Sequence, residues 1–234
     1  MLGTVGFGLS SAVMRALIVG NSDGIGLALS RRLLGEGWQV TGVSRSPAPV
    51  GEHHVVDVTT AEFDRVLAGL PGFDLCVYAA GIGDTLTDDL RAQTRAIAVN
   101  LLGAARTIEA VVPPMLRAGH GHVIGLSSMA DGLISADAPG YAASKAGLTS
   151  YLLGLDAALR PRGVAVSAVR FGFVDTKMAK SPVTPFRISV EKAVDVLMGC
   201  VRKRTALVSY PRRMAVLTGA VGPALRIGAR LRRG

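Results

Sequence analysis

Cysteine is scarce in this chain: Cys76 and Cys200 are the only two among 234 residues. Two thiols, one of them inside an apolar run, cannot supply a disulfide framework, so a reducing, cytoplasmic setting is expected. Charged residues are also few, 18% against 49% hydrophobic, which excludes a disordered chain. Long hydrophobic runs are missing. The first fourteen residues are uncharged, but Arg15 ends that stretch well short of the ~20 needed to span a bilayer. The positive start of a secretory signal is absent as well. Acidic residues disappear from Arg202 onward, where nine Lys and Arg fall; they match the whole formal charge of +9. The rest of the chain is therefore balanced, which excludes a nucleic-acid-binding body and leaves a basic tail.

What is present is alternation. Short apolar runs at 16–19, 38–43, 53–58, 73–80, 122–126, 164–169 and 206–209 are separated by stretches of helical periodicity, with 29 glycines in the chain, many at the joints. Six strand–helix alternations and a closing strand make an α/β fold: a doubly wound parallel sheet of about seven strands with helices on both faces. One domain is expected over 14–211, preceded by a floppy extension (1–13) and followed by the tail (212–234). Met14, just before the first strand, is a candidate start. The segment 177–187 reads as a small lid, and Pro113-Pro114 as the start of a new segment after a helix ending near Ala110.

The first strand runs into Gly20-Asn21-Ser22-Asp23-Gly24-Ile25-Gly26 and then a helix. Strand, glycine turn, helix is the context of a dinucleotide-phosphate loop: the glycines let the backbone approach the pyrophosphate, and the helix N-terminus offers N–H groups. A plain tight turn is the competing reading. Where a ribose-binding carboxylate would stand, at the end of the second strand, the chain has Ser44 and Arg45. A hydroxyl and a guanidinium suit a 2′-phosphate, so NADP is expected over NAD. Asp57 either meets an adenine amino group or caps the next helix. Adjacent His53 and His54 point to opposite strand faces and make a poor metal pair, so no metal is expected.

Residues 126–145 read LSSMADGLISADAPGYAASK. Tyr141 and Lys145, four apart, share a helix face. A free phenol has a pKa near ~10, and a fixed ammonium beside it favours the phenolate, so the pKa of Tyr141 is expected to fall toward neutral. Ser128 follows the apolar run 122–126 and can bring a hydroxyl to the same place. Asn100, mid-helix among apolar residues, needs a buried partner.

These pieces resemble the short-chain dehydrogenase/reductases over about 15–210: VGNSDGIG (19–26), YAAG (78–81), Asn100, Ser127-Ser128, YAASK (141–145) and FGFVDT (171–176). The resemblance implies a Rossmann-type fold and hydride transfer between a nicotinamide and a carbonyl or secondary alcohol. By position it implies Tyr141 as proton donor or acceptor, Lys145 on the nicotinamide ribose, Ser128 orienting the substrate oxygen, and Asn100 anchoring a water that links Lys145 to solvent. It further implies cofactor contacts from Gly20, Ser22, Asp23, Gly24, Ile25, Gly26, Ser44, Arg45, Asp57, Val58, Ala79, Ala80, Gly81, Val174 and Thr176. Tyr78 and Ala79 replace two asparagines common in the family, losing a side-chain contact. Phe171 replaces a proline, which is expected to loosen the nicotinamide loop. A homodimer or homotetramer follows by analogy.

A second reading is a non-catalytic NADP-binding module acting through a protein partner. It has no need of Ser128, Tyr141 and Lys145 together. For the tail, the apolar stretch 214–225 followed by the basic stretch 226–233 has the composition of a membrane-surface anchor. Gly219, Gly222 and Pro223 interrupt it, and packing on the sheet edge or on a neighbouring subunit is preferred.

Overall fold

In the computed structural model, residues 13–177 and 186–214 are described. The N-terminal extension up to residue 12, most of the expected lid (178–185) and the tail beyond Met214 lie outside them. The strands are β1 (Arg15–Val19), β2 (Gln39–Ser44), β3 (Glu52–Val55), β4 (Leu75–Tyr78), β5 (Gly121–Ser128), β6 (Val164–Phe171) and β7 (Leu207–Tyr210). They form one parallel sheet in the order β3-β2-β1-β4-β5-β6-β7. This is the doubly wound Rossmann-type architecture, and the order reverses between β1 and β4.

The helices are α1 (Gly24–Gly35), α2 (Ala61–Gly69), α3 (Arg91–Ile97), α4 (Gly103–Ala118), α5 (Pro139–Leu159) and α6 (Val190–Lys203). Burial explains why the strands read as unbroken apolar runs rather than alternating ones. Leu17 and Val19 of β1 pack with Phe63, Ile108, Met115 and Leu148 on one face. Ala16 and Ile18 pack with Leu29, Leu33 and Leu197 on the other. Each large apolar side chain so buried contributes about 1.5–3 kcal/mol.

Three sequence expectations give way here. The third strand ends at Val55, so Asp57 lies beyond it in a turn. Pro113 and Pro114 do not open a new segment but sit inside α4. Val111, Val112 and Met115 of that helix are buried in the core, and this burial carries the helix past the hydrogen bonds that the two prolines forgo. The helix is also longer than expected: α3 and α4 join through a π-helical turn, Ala98–Leu102. The 28-residue rod Arg91–Ala118 is long and apolar enough to cross a membrane, but half of its most apolar window is buried inside the protein, as in a core helix.

Candidate active site

The C-terminal ends of the strands share one edge, and the reversal of strand order opens a crevice there between the segments following β1 and β4. The two segments touch. Gly20 has φ +92°, and a Cβ on it would lie 2.4 Å from the Ala80 backbone nitrogen. Ala79 and Ala80 both donate backbone N–H groups to the Val19 carbonyl, at 2.8 and 2.9 Å. A Cβ at Gly26 would lie 2.1 Å from the Gly20 carbonyl oxygen, so the turn closes only with glycine there.

Ser128 ends β5, opposite Phe171 of β6. Its hydroxyl accepts from Ala130 N at 3.1 Å, which fixes the short turn Met129–Gly132, and it hydrogen-bonds to the phenol of Tyr141. Tyr141 lies in the first turn of α5, with its ring packed on the loop after β4: a Cβ on Gly83 would be 2.9 Å from Tyr141 Cδ2. Lys145, one turn on, is buried; its Nζ donates to the Leu126 carbonyl at 2.7 Å and lies 5.8 Å from the centre of the Tyr141 ring. Ser128, Tyr141 and Lys145 therefore converge at the mouth of the crevice.

Asn100 is fully buried in the π-helical turn. Its side-chain amide clamps the loop after β4, donating to Ile82 O at 2.9 Å and accepting from Ile82 N at 2.8 Å. Its other amide proton goes to the Ser144 hydroxyl at 2.9 Å, so both side-chain protons are spent on protein and neither is left for a water beside Lys145.

The expected fall in the Tyr141 pKa does not occur. Burial pushes the phenol upward, the hydrogen bond with Ser128 pulls it back, and the charge of Asp131 adds to the rise. Burial pushes the Lys145 amine down, to about 8. Desolvation, not the Lys145 charge that the four-residue spacing promised, sets the direction of the phenol.

On the nucleotide side the outcome is mixed. Asp23 caps α1, accepting from Gly24 N at 2.7 Å, and pairs with Lys177 at 2.7 Å. Ser22 and Ile25 are half-buried in the same turn, and Gly81 lies half-buried just after Ala80. Thr176 comes to this turn too: a Cβ on Gly24 would be 3.4 Å from its Cγ2. Val174 is buried and bridges to Ile188.

Three residues expected to touch the cofactor on this side have protein partners. Ser44 is buried and donates to Ser46 O at 2.8 Å, with His53 Nε2 at 3.2 Å, so its hydroxyl serves the loop after β2. Asp57 accepts from Thr59 N and Oγ1, at 2.9 and 2.7 Å, and from Arg95 at 3.0 Å, which leaves it a turn and ion-pair residue. Val58 is a core residue whose carbonyl accepts from Arg106 at 2.9 Å. Arg45 remains exposed at the end of β2, and its charge is felt at Asp57. Nor does Phe171 loosen the loop after β6. It sits in the ladder between Ser128 and Tyr210, and the loop beyond is tied by Ile188 N to Phe173 O and Asp175 N to Ile188 O, both at 2.9 Å.

A family model described as short chain dehydrogenase matches residues 14–184. The chain belongs to this family. An uncharacterized oxidoreductase of Myxococcus xanthus is 31% identical over 227 residues, covering 87% of this chain and 89% of that one. A 3-oxoacyl-(acyl-carrier-protein) reductase of Vibrio cholerae is 29% identical over 184 residues, covering 71% of this chain and 75% of its own. The crystal structure of a short chain dehydrogenase from Burkholderia cenocepacia in complex with NADP superimposes with a TM-score of 0.80 at 25% identity, over 94% of this chain and 96% of that chain.

The chain is thus an oxidoreductase of a hydride-transferring family, and its crevice fits a nicotinamide dinucleotide. The glycine turn leaves a backbone cradle that a Cβ at Gly20 or Gly26 would fill. Asn21 in that turn is fully buried, with neither its side-chain nitrogen nor its oxygen hydrogen-bonded to any of the described residues.

Four site residues escaped the sequence. Tyr78, in an asparagine's place, donates its hydroxyl to Val99 O at 2.5 Å and so ties β4 to the π-helical turn. Gln93 accepts from Gly140 N at 3.0 Å, seating the start of α5. Thr149, on the Tyr141 helix, donates to Asp131 at 2.7 Å. Only Thr149 left a signal, since Tyr141, Lys145 and Thr149 fall at i, i+4 and i+8 on one helix face.

Proposed function

We propose that the chain is an NADP-dependent oxidoreductase that moves hydride between the nicotinamide and a carbonyl or secondary-alcohol carbon. The observation that carries this is the convergence of Ser128, Tyr141 and Lys145 at the crevice, with Asn100 holding the facing loop. When bound, the nicotinamide supplies the hydride. In the reductive direction Tyr141 gives its proton to the substrate oxygen, and Ser128 holds that oxygen by its hydroxyl. Burial keeps Tyr141 protonated and neutral at neutral pH, so it holds its proton as the acid until negative charge develops on the substrate. Lys145, with a pKa of about 8, carries its proton at pH 7 and stabilises the phenolate left behind. Its remaining N–H groups, unclaimed by the described residues, serve the nicotinamide ribose.

NADP over NAD is supported by exposed Arg45 at the end of β2, where no free carboxylate stands. Asp57 is committed to Thr59 and Arg95. Ser22, Asp23, Gly24 and Ile25 would line the pyrophosphate, with Lys177 neutralising Asp23. Ala79, Ala80 and Gly81 would lie along the nucleotide, and Val174 and Thr176 along the carboxamide. We assign one domain to 14–211 and a homodimer or homotetramer to the solution state. The exposed apolar side chains Ile97, Leu102 and Tyr151 on the α3–α4 rod and α5 support the assembly. Both thiols are free and buried, and burial pushes Cys76 up to about 12, consistent with a reducing cytoplasm.

The test is NADPH oxidation against aldehydes, ketones, quinones and 3-oxoacyl thioesters, the last chosen from the Vibrio cholerae relative. Turnover on one class, lost in Tyr141→Phe with NADPH binding retained, is expected. Unchanged turnover in that variant overturns the assigned chemistry.

A further inference from the structure

Behind the Ser128–Tyr141–Lys145 group lies a polar chain that this chemistry does not use. Arg170 of β6 donates to Asp131 Oδ1 at 2.6 Å. Thr149 of α5 donates to Asp131 Oδ2 at 2.7 Å. Ser127 of β5 lies 2.6 Å from the Thr149 hydroxyl and 3.1 Å from the Lys145 carbonyl. Proton accounting fixes the direction of the chain. Ionised Asp131 only accepts, so the single proton of Thr149 goes to it, and Ser127 shares its own between Thr149 and the Lys145 carbonyl. The Asp131 side chain is only 5% exposed and that of Arg170 20%, so this is no solvated surface pair. A pair buried this far costs desolvation that an apolar pair avoids, which makes bare stability a weak reason for it.

We infer that Asp131 and Arg170 are positioning residues for the proposed catalytic group. They lock the turn after Ser128 to β6 and, through Thr149 and Ser127, to the helix carrying Tyr141 and Lys145. Ser128 arrives on a strand and the other two on a helix; nothing local to either element sets the gap between them. Asp131 sits three residues after Ser128, and Thr149 four after Lys145, so their bond adds a tie across the gap behind the Lys145 Nζ–Leu126 O bond. The inference rests on the functional reading above. Among the described residues, the charged groups that face Tyr141 are Lys145 on its own helix, Asp131 on the turn and Arg170 behind that on β6. The loop packed on its ring is uncharged from Gly81 to Gly83, with Asp84 next along it. Asp131 already enters the ionisation of Tyr141, which gives a readout independent of any substrate.

The experiment is a phenolate absorbance titration of the full chain, with the Tyr141→Phe curve subtracted so that only Tyr141 is seen. Asp131→Asn removes a negative charge and frees Arg170, so Tyr141 should titrate at lower pH. Arg170→Met leaves Asp131 unpaired, so it should titrate at higher pH, each shift being on the order of one pH unit. Thr149→Val cuts the link without changing charge. It should lower kcat between about tenfold and about a hundredfold while NADPH affinity, read by nucleotide fluorescence, holds. Shifts in the same direction for the two charge variants would overturn the inference. So would a parallel fall of kcat, NADPH affinity and thermal midpoint in all three variants, the mark of a merely structural pair. Opposite shifts alongside a Tyr141→Phe variant that still turns over would uphold the positioning and reject the catalytic assignment.

Discussion

The two halves of the crevice are built differently. On the β1–β2 side the cradle is backbone, and the charges around it are exposed or half-buried and paired: Asp23 with Lys177, Asp57 with Arg95. On the β5–α5 side the polar groups are buried, and each is tied to another element: Lys145 to β5, Asn100 to the loop after β4, Asp131 to β6. A nucleotide must enter and leave, and backbone N–H groups at a helix end bind its phosphates without a side chain having to reorganise. Proton transfer needs groups that stay put in a low dielectric, where each is worth more. The contrast predicts that damage on the buried side appears in turnover and ionisation, and damage on the exposed side in nucleotide affinity.

The largest effect should come from Tyr141→Phe. Loss of a positioned acid costs about 10²- to 10⁴-fold in kcat, measurable as NADPH oxidation on whichever carbonyl class is turned over. NADPH affinity should stay within about threefold, below the ~0.7 kcal/mol scale of a weak contact.

Next is the pH dependence set by Lys145. Its folded pKa of about 8 lies below the ordinary 10.5, so the unfolded chain binds more protons between those values. Stability therefore carries the full burial cost below pH 8 and recovers as pH rises through that window, by roughly 3 kcal/mol. Urea unfolding of wild type and Lys145→Met at both ends of the window isolates the difference. Wild type should gain on the variant as pH rises.

Gly26→Ala tests the backbone cradle. Its methyl would sit 2.1 Å from the Gly20 carbonyl oxygen, so a cost of about 1–3 kcal/mol is expected, seen by calorimetry and in weaker NADPH binding. Arg45→Ala should weaken NADP by about tenfold, the value of one charge-assisted contact, and leave NAD unchanged; titration calorimetry with both nucleotides reads the ratio. The smallest effect belongs to Gly35→Ala at the far end of the same helix. None of the described residues lies within 4 Å of the added Cβ, so it should stabilise by about 0.5–1 kcal/mol without touching nucleotide affinity.

Most of the fold was legible because parallel strands buried on both faces read as short apolar runs between glycines and helical spacings. Tyr141, Lys145 and Ser128 were legible because local spacing and strand ends set where they stand. The partners of Ser44 and Asp57 were not, since His53 and Arg95 come from other elements and decide where those side chains turn. Pro113 and Pro114 obey a local rule that core burial overrides. The ionisation of Tyr141 ran against the spacing argument because burial is a property of the assembled core, absent from any window of sequence.

The most direct measurement is deuterium transfer. NADPH carrying deuterium at both C4 positions of the nicotinamide is incubated with a carbonyl substrate, and the alcohol product is weighed by mass spectrometry. The account predicts one deuterium on the former carbonyl carbon with wild type and none above background with Tyr141→Phe. Product without deuterium, or equal labelling by the two proteins, would contradict it.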